Sequence, residues 1–254
     1  MRICVLALFL IASVMACYAE ISGHCSISSG SRDEKAEFYW DRGDCSGQHQ
    51  CHVGDSTMEW GRWTGIVPDD LQREGAAIDA RMTAEPGEMR CTGKVHDGSL
   101  RGEYSFTPNA EFTRHMDSMG FDNLTSERLQ GYALLDVTTA WVKELKDAHV
   151  TGMTTDNLMG LRALKVDGAY VHEMAADGYP EMEAQKLTGM KAVGVSPDKV
   201  KAVRAMGYSP TEEELIQMSV FKIDAPFVER MKARGFKDLT IAQLVQIKVF
   251  KLDE

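Results

Sequence analysis

From Leu129 onward the chain returns to the same pattern about every 29 residues, and this recurrence constrains the fold more than any other feature. Leu129, Leu158, Leu187, Leu215 and Leu244 mark the copies, with offsets of 29, 29, 28 and 29. An apolar residue follows each leucine at the third, sixth and eighth places: Tyr132, Leu135 and Val137 in the first copy, Ile247, Phe250 and Leu252 in the last. Spacings of three put the first members on one face of a short helix. The ninth place holds Thr138, Asp167, Ser196, Asp224 or Asp253. Each has a side-chain oxygen that satisfies a free backbone N–H, so a second helix starts there. Pro197 follows Ser196 at the first helical position, where a missing donor costs nothing. The apolar residue before each cap pairs with one five places on, as Val137 with Val142 and Ile223 with Val228, in a hydrophobic staple.

The ends of the second helices are equally legible. Gly120, Gly178, Gly207 and Gly235 stand where a left-handed residue stops a helix, each followed by Phe or Tyr. His149 takes that place in one copy and tolerates positive φ better than most residues. The first helices are capped by Thr125, Thr154, Thr211 and Thr240, with Glu183 the exception; Glu214 and Gln243 add capping-box partners. Run backwards, the register makes Asn109 the cap of a lone second helix, and the array closes on a lone first helix from Thr240 to Lys251. Residues 108–254 are therefore predicted to form α-helical hairpin repeats, about ten short helices stacked in antiparallel pairs.

Residues 20–107 read differently. Ile78 to Met82 and Arg101 to Phe106 alternate with the period of two that marks half-buried strands, and Ala36 to Trp40 and Glu88 to Val95 are further short runs of the same domain. Turn signals separate them at Glu85-Pro86-Gly87 and at His96-Asp97-Gly98-Ser99. The whole is an α+β chain, with a small antiparallel β domain ahead of the helices.

The first nineteen residues carry one basic residue, an apolar run from Ile3 to Met15 and small residues at the end, the pattern of a secretory signal peptide. Cleavage after Ala19 would release a secreted or periplasmic protein, whereas Ser13-Val14-Met15-Ala16-Cys17 also reads as a lipobox that would anchor it through Cys17. Export makes Cys25, Cys45, Cys51 and Cys91 disulfide candidates. Of three possible pairings we favour Cys45 with Cys51 across a short glycine-containing loop, which leaves Cys25 with Cys91. A metal site at Cys51, His49 and His52 is the competing reading, but zinc-type ligand spacing is missing.

A net charge of -10 argues against a nucleic-acid partner. His172-Glu173 opens like a zinc-peptidase motif, yet Ala176 stands where the second histidine ligand belongs. No nucleophile elbow, phosphate loop or dinucleotide fingerprint occurs. The methionines, with His115 nearby, would suit soft copper, but most hold core places of the repeat. Trp60 and Trp63 are the candidate ligand-binding residues, since indoles bring large contact area at low entropy cost; filling a small core is the alternative. No catalytic residue, metal or cofactor is assigned. A rival enzyme reading would draw on His24, His49, His52 or His96 at the seam between the two parts.

The stretch from Arg101-Gly102-Glu103-Tyr104-Ser105-Phe106 through Thr107-Pro108-Asn109-Ala110-Glu111-Phe112, then Met119-Gly120-Phe121 and the Gly-aromatic, Leu-Thr and Val-Asp repeats, resembles a bacterial extracytoplasmic region. That region is attached to membrane zinc metallopeptidases of the beta-lactam-sensor type and also occurs in stand-alone or anti-sigma-linked proteins. The resemblance spans residues 70 to 254 and lacks the peptidase motif, so no catalytic residue carries over. It implies a sensory or interaction module outside the membrane. The expectation is a non-catalytic module that binds a protein, peptide or cell-envelope ligand through the repeat surface.

Overall fold

The computed structural model describes residues 20–30, 35–42 and 53–252. The leader with Cys17, the segment carrying Cys45, His49, Cys51 and His52, and the cap Asp253 lie outside the described residues. The fold is α+β, with one six-stranded antiparallel sheet and ten α-helices among the described residues.

The strands are β1 (Ile21–Ser29), β2 (Lys35–Asp41), β3 (Val53–Glu59), β4 (Ala77–Ala84), β5 (Gly87–His96) and β6 (Ser99–Pro108), in the order β3-β2-β1-β6-β5-β4. The turn between β5 and β6 uses Asp97 and Gly98 at φ 49° and 71°, the left-handed pair that a two-residue hairpin turn needs. One face of the sheet is core, lined by Ile27, Phe38, Met82, Met89, Leu100 and Phe106. β1 and β3 go beyond the runs read from the sequence. In β3 only Met58 is buried, so an edge strand with one core residue carries almost no alternation.

Cys25 and Cys91 form a disulfide, as expected. They lie on β1 and β5, with β6 between them. In a flat sheet, strands two apart would stand roughly 9–10 Å from each other, but these Cα atoms are 5.9 Å apart. The sheet therefore curls sharply about β6. Glycine makes the curl possible: Gly102 pairs with both Gly93 and Cys25, and a Cβ at Gly102 would come within 2.0 Å of the Thr92 carbonyl oxygen.

On the solvent face, Asp79 accepts from Arg90 Nε at 2.6 Å, Arg81 Nη2 at 2.7 Å and Thr92 Oγ1 at 3.2 Å. Arg90 first, then Arg81, hold its carboxyl well below the usual range. A depressed folded value means that the contribution to stability is complete above the unfolded value of about 3.9 and lost as pH falls through the folded one. Asp79→Asn should therefore lower the melting temperature by about 1–2 °C at pH 7, a small effect because the site is solvated. The gap from wild type should narrow below about pH 4. Melting curves at neutral and acid pH check this; a gap that widens in acid would refute it.

The helices are α1 (Ala110–Ser118), α2 (Ser126–Leu135), α3 (Thr139–Asp147), α4 (Leu158–Ala163), α5 (Gly168–Ala176), α6 (Ala184–Ala192), α7 (Pro197–Ala205), α8 (Glu212–Val220), α9 (Ala225–Ala233) and α10 (Ile241–Val249). α2, α4, α6, α8 and α10 form one row in which each touches the next, and α1, α3, α5 and α7 form another. Thr138, Asp167, Ser196 and Asp224 cap α3, α5, α7 and α9, each accepting a backbone N–H three residues on. Thr211 and Thr240 form full capping boxes with Glu214 and Gln243. Gly120, Gly178, Gly207 and Gly235 have φ between 88° and 93°, and His149 has 60°.

Two details differ from expectation. Thr154 does not cap a helix directly: it exchanges hydrogen bonds with Asn157, and α4 starts only at Leu158. The intervening Thr155 is held elsewhere, its hydroxyl donating to the Asp122 carbonyl and its carbonyl accepting from Tyr132 Oη at 2.6 Å. The helices of the α2 row also end on left-handed residues: Asp136, Lys165, Gly194, Lys222 and Lys251 follow α2, α4, α6, α8 and α10. The next N–H reaches five residues back, as Val166 to Leu161 at 2.9 Å and Ile223 to Met218 at 2.8 Å. Among the described residues no helix is long and apolar enough to cross a membrane.

Candidate functional site

The sheet and the helices are fastened by charged side chains at helix ends. Arg62, in the 3-10 turn Trp60–Arg62, donates to the carbonyls of Leu134 and Ala133 at 2.6 and 2.7 Å, at the C-terminus of α2. Burial lowers its pKa, partly offset by Asp136. Glu85, in the turn after β4, accepts from the Thr139 backbone N–H at 3.0 Å and from its hydroxyl at 2.5 Å, at the N-terminus of α3. Within the helices, Glu144 of α3 accepts from the Gly168 backbone N–H at the start of α5, at 2.9 Å. Arg42 pairs with Glu127 at the start of α2. No sequence pattern announced these contacts, because each joins residues far apart in the chain.

Trp60 and Trp63 sit beside this seam. Trp63 is 5% exposed and meets Phe38 edge-on at 5.0 Å, so the structure places it in the core instead of along an open groove. Trp60 is partly buried against the same core. Phe38 also stacks on Trp40 at 5.1 Å and lies 5.8 Å from Tyr104. Burial pushes the Tyr104 phenol far above its ordinary pKa. The indole N–H groups of Trp60 and Trp63 and the Tyr104 hydroxyl are buried and find no hydrogen-bond partner among the described residues.

Among the described residues the histidines are not gathered. His24 Nδ1 lies 3.0 Å from Asp41 Oδ1, beside an open depression of about 590 Å³ on the solvent face that includes Tyr39 and Arg101. His96, the last residue of β5, pairs with Glu74 at 2.8 Å. His172 and Glu173 are exposed on α5. Among the described residues no three His, Cys, Asp or Glu side chains come together as a metal site.

The helices present two kinds of joint. At one, a ring on α3, α5 or α9 lies under a cation 21 residues on: Arg162 over Trp141 at 5.4 Å, Lys191 over Tyr170 at 3.9 Å and Lys248 over Phe227 at 4.2 Å. Trp141 Nε1 and Tyr170 Oη then donate to the carbonyls of Val166 and Val195, at 2.9 and 3.0 Å. Burial pushes the Tyr170 phenol up to about 12.

At the other joint, the aromatic residues after two of the helix-stopping glycines, Gly178 and Gly207, meet the loops leading into α8 and α10. Tyr179 Oη donates to the Pro210 carbonyl at 2.7 Å and Tyr208 Oη to the Leu239 carbonyl at 3.0 Å. Two cavities open along this loop edge. One, of about 200 Å³, is polar and lined by Asp122, Asn123, Arg128, Thr154 and Asp156, with Arg128 paired to Asp156. The other, of about 400 Å³, mixes apolar and polar groups: Met206, Tyr208, Val228, Phe236 and Leu239 line it together with Lys232, Asp238 and Thr240. Of these residues the sequence marked Tyr208 and Phe236 only as post-stop aromatics. Comparison of the chain with protein-family models, curated proteins and solved structures finds no match.

Proposed function

We propose that the protein is a non-catalytic extracytoplasmic binding module in which the helices act as a stack of hairpin repeats of about 29 residues. In this reading the curled, disulfide-linked sheet anchors the stack, and the loop edge engages a protein, peptide or cell-envelope ligand. The observation that carries it is the loop edge itself. Leu129, Leu158, Leu187, Leu215 and Leu244 are all fully buried, whereas the two loop-edge cavities differ in lining, one polar and one of mixed apolar and polar groups. Conserved geometry with variable lining suits recognition. The Cys25–Cys91 disulfide supports an oxidising compartment, and the resemblance to an extracytoplasmic sensor region points the same way.

Affinity capture from an envelope extract tests the proposal. The wild-type protein should retain a partner that is lost when Asp122, Asp156 and Phe236 are replaced together by Lys, Lys and Ser, and kept when Tyr39 and Arg101 on the sheet are changed to Ser and Glu. Capture of nothing, or capture that responds only to the sheet changes, would refute it.

A further inference from the structure

We infer that the 400 Å³ cavity between Tyr208 and Phe236 is a docking site for an acidic peptide carrying one bulky apolar side chain. The inference rests on the loop-edge reading above and names the partner's chemistry.

The first observation concerns exposure. Of the aromatic residues after the earlier stops, Phe121 is 3% exposed and Tyr179 8%, and Tyr208 is half-buried. Phe236 holds the same place and is 43% exposed, on the wall of a cavity floored by Met206, Val228 and Leu239. A concavity of this size with Met206, Val228, Phe236 and Leu239 on its walls accepts a Leu- or Phe-sized anchor, whose burial is favourable. Thioether and aromatic walls adapt to such an anchor without demanding a single shape.

Charge is the second and independent observation. The chain carries a net charge of -10, yet residues 220–254 hold seven Lys and Arg against five Asp and Glu. Lys232 lies on the cavity wall; its ammonium donates to Glu229 Oε1 at 2.9 Å with one of three N–H groups. Arg234 and Lys237 flank Phe236 and are exposed. Asp238 is the one acid among the lining residues. Lys232, Arg234 and Lys237 against Asp238 and Glu229 leave a small excess of positive charge around the exposed ring, which favours a negatively charged partner, speeds its encounter and disfavours a cationic one. The polar cavity at Asp122 and Asp156 has the opposite balance, so the preference belongs to this end of the helices.

Fluorescence anisotropy on the intact protein tests it, with three short fluorescein-labelled peptides: Glu and Asp with one central Phe, the same with Gly for Phe, and the Lys counterpart with Phe. The first should bind, and each of the others should bind roughly tenfold more weakly or not at all. Phe236→Ser and the paired change Lys232→Glu with Lys237→Glu should each cost roughly tenfold, whereas Arg101→Glu on the sheet should cost nothing. The lysines are exposed or lie at the cavity edge, so the paired variant keeps the test valid if Phe236→Ser unfolds locally. No binding by the acidic peptide, equal binding of the Gly peptide, or indifference to both variants would overturn the inference. If an extract partner is retained by wild type, lost by Asp122→Lys with Asp156→Lys, and indifferent to Phe236→Ser and the lysine changes, the binding-module reading stands and this inference fails.

Discussion

Replacing Cys25 and Cys91 together by alanine will lower stability by about 4 kcal/mol, the chain-entropy value for a closed loop of this length. The bridged residues are 66 apart in sequence, so the bond restrains most of the sheet in the unfolded chain. The effect in the folded state is equally specific. β1 and β5 are not neighbours, and the bond holds them together over the glycine-lined curl at β6. Alanine is the right replacement, because both sites are buried, at 5% and 0% exposure, and serine would bring an additional buried hydroxyl. Urea unfolding followed by tryptophan fluorescence reads the change. A loss below about 1 kcal/mol would mean that the curl is fixed by β6 pairing and glycine alone.

Phe227→Ala will loosen the last helices and leave the sheet intact. Phe227 is fully buried on α9, with the Lys248 ammonium 4.2 Å and the Arg230 guanidinium 5.7 Å from its ring centre. Truncating a core phenylalanine costs about 3–5 kcal/mol. In a single cooperative core the loss would be shared by the whole molecule. In a row where α6 touches α8 and α8 touches α10, it stays local. Hydrogen exchange should show faster exchange in α8, α9 and α10, with β5, β6 and α1 to α3 unchanged. Uniform acceleration through the sheet would contradict the account of helices that depend on their neighbours.

These two results bear on how much of the molecule can be read from its residues. A cap such as Asp167 or a stop such as Gly178 answers a local need, an unsatisfied N–H or a left-handed φ, so the residue itself announces the position. The ten helices were legible for that reason. Lys165 and Lys222 were not, because a lysine gives no sign that it will take φ near 55° and 52°; only the hydrogen bond returning to the previous turn reveals it. β3 was hidden by its polarity, and the sharp curl by its dependence on Gly93 and Gly102 lying side by side on different strands. Trp63 was visible as an aromatic residue, but whether an indole lines a groove or fills a core depends on what lies opposite, and Phe38 does. The cavity at Phe236 follows the same logic: its wall residue was legible as a post-stop aromatic, and its exposure depends on neighbours.

The most direct measurement of the central claim is hydrogen exchange on the intact protein, free and in complex with the partner retained from envelope extract. Protection concentrated in the loops after α1, α3, α5, α7 and α9, where the post-stop aromatics and the two cavities lie, is the predicted result. Protection confined to the sheet, or spread over the buried faces of the helices with the loop edge unchanged, would contradict it.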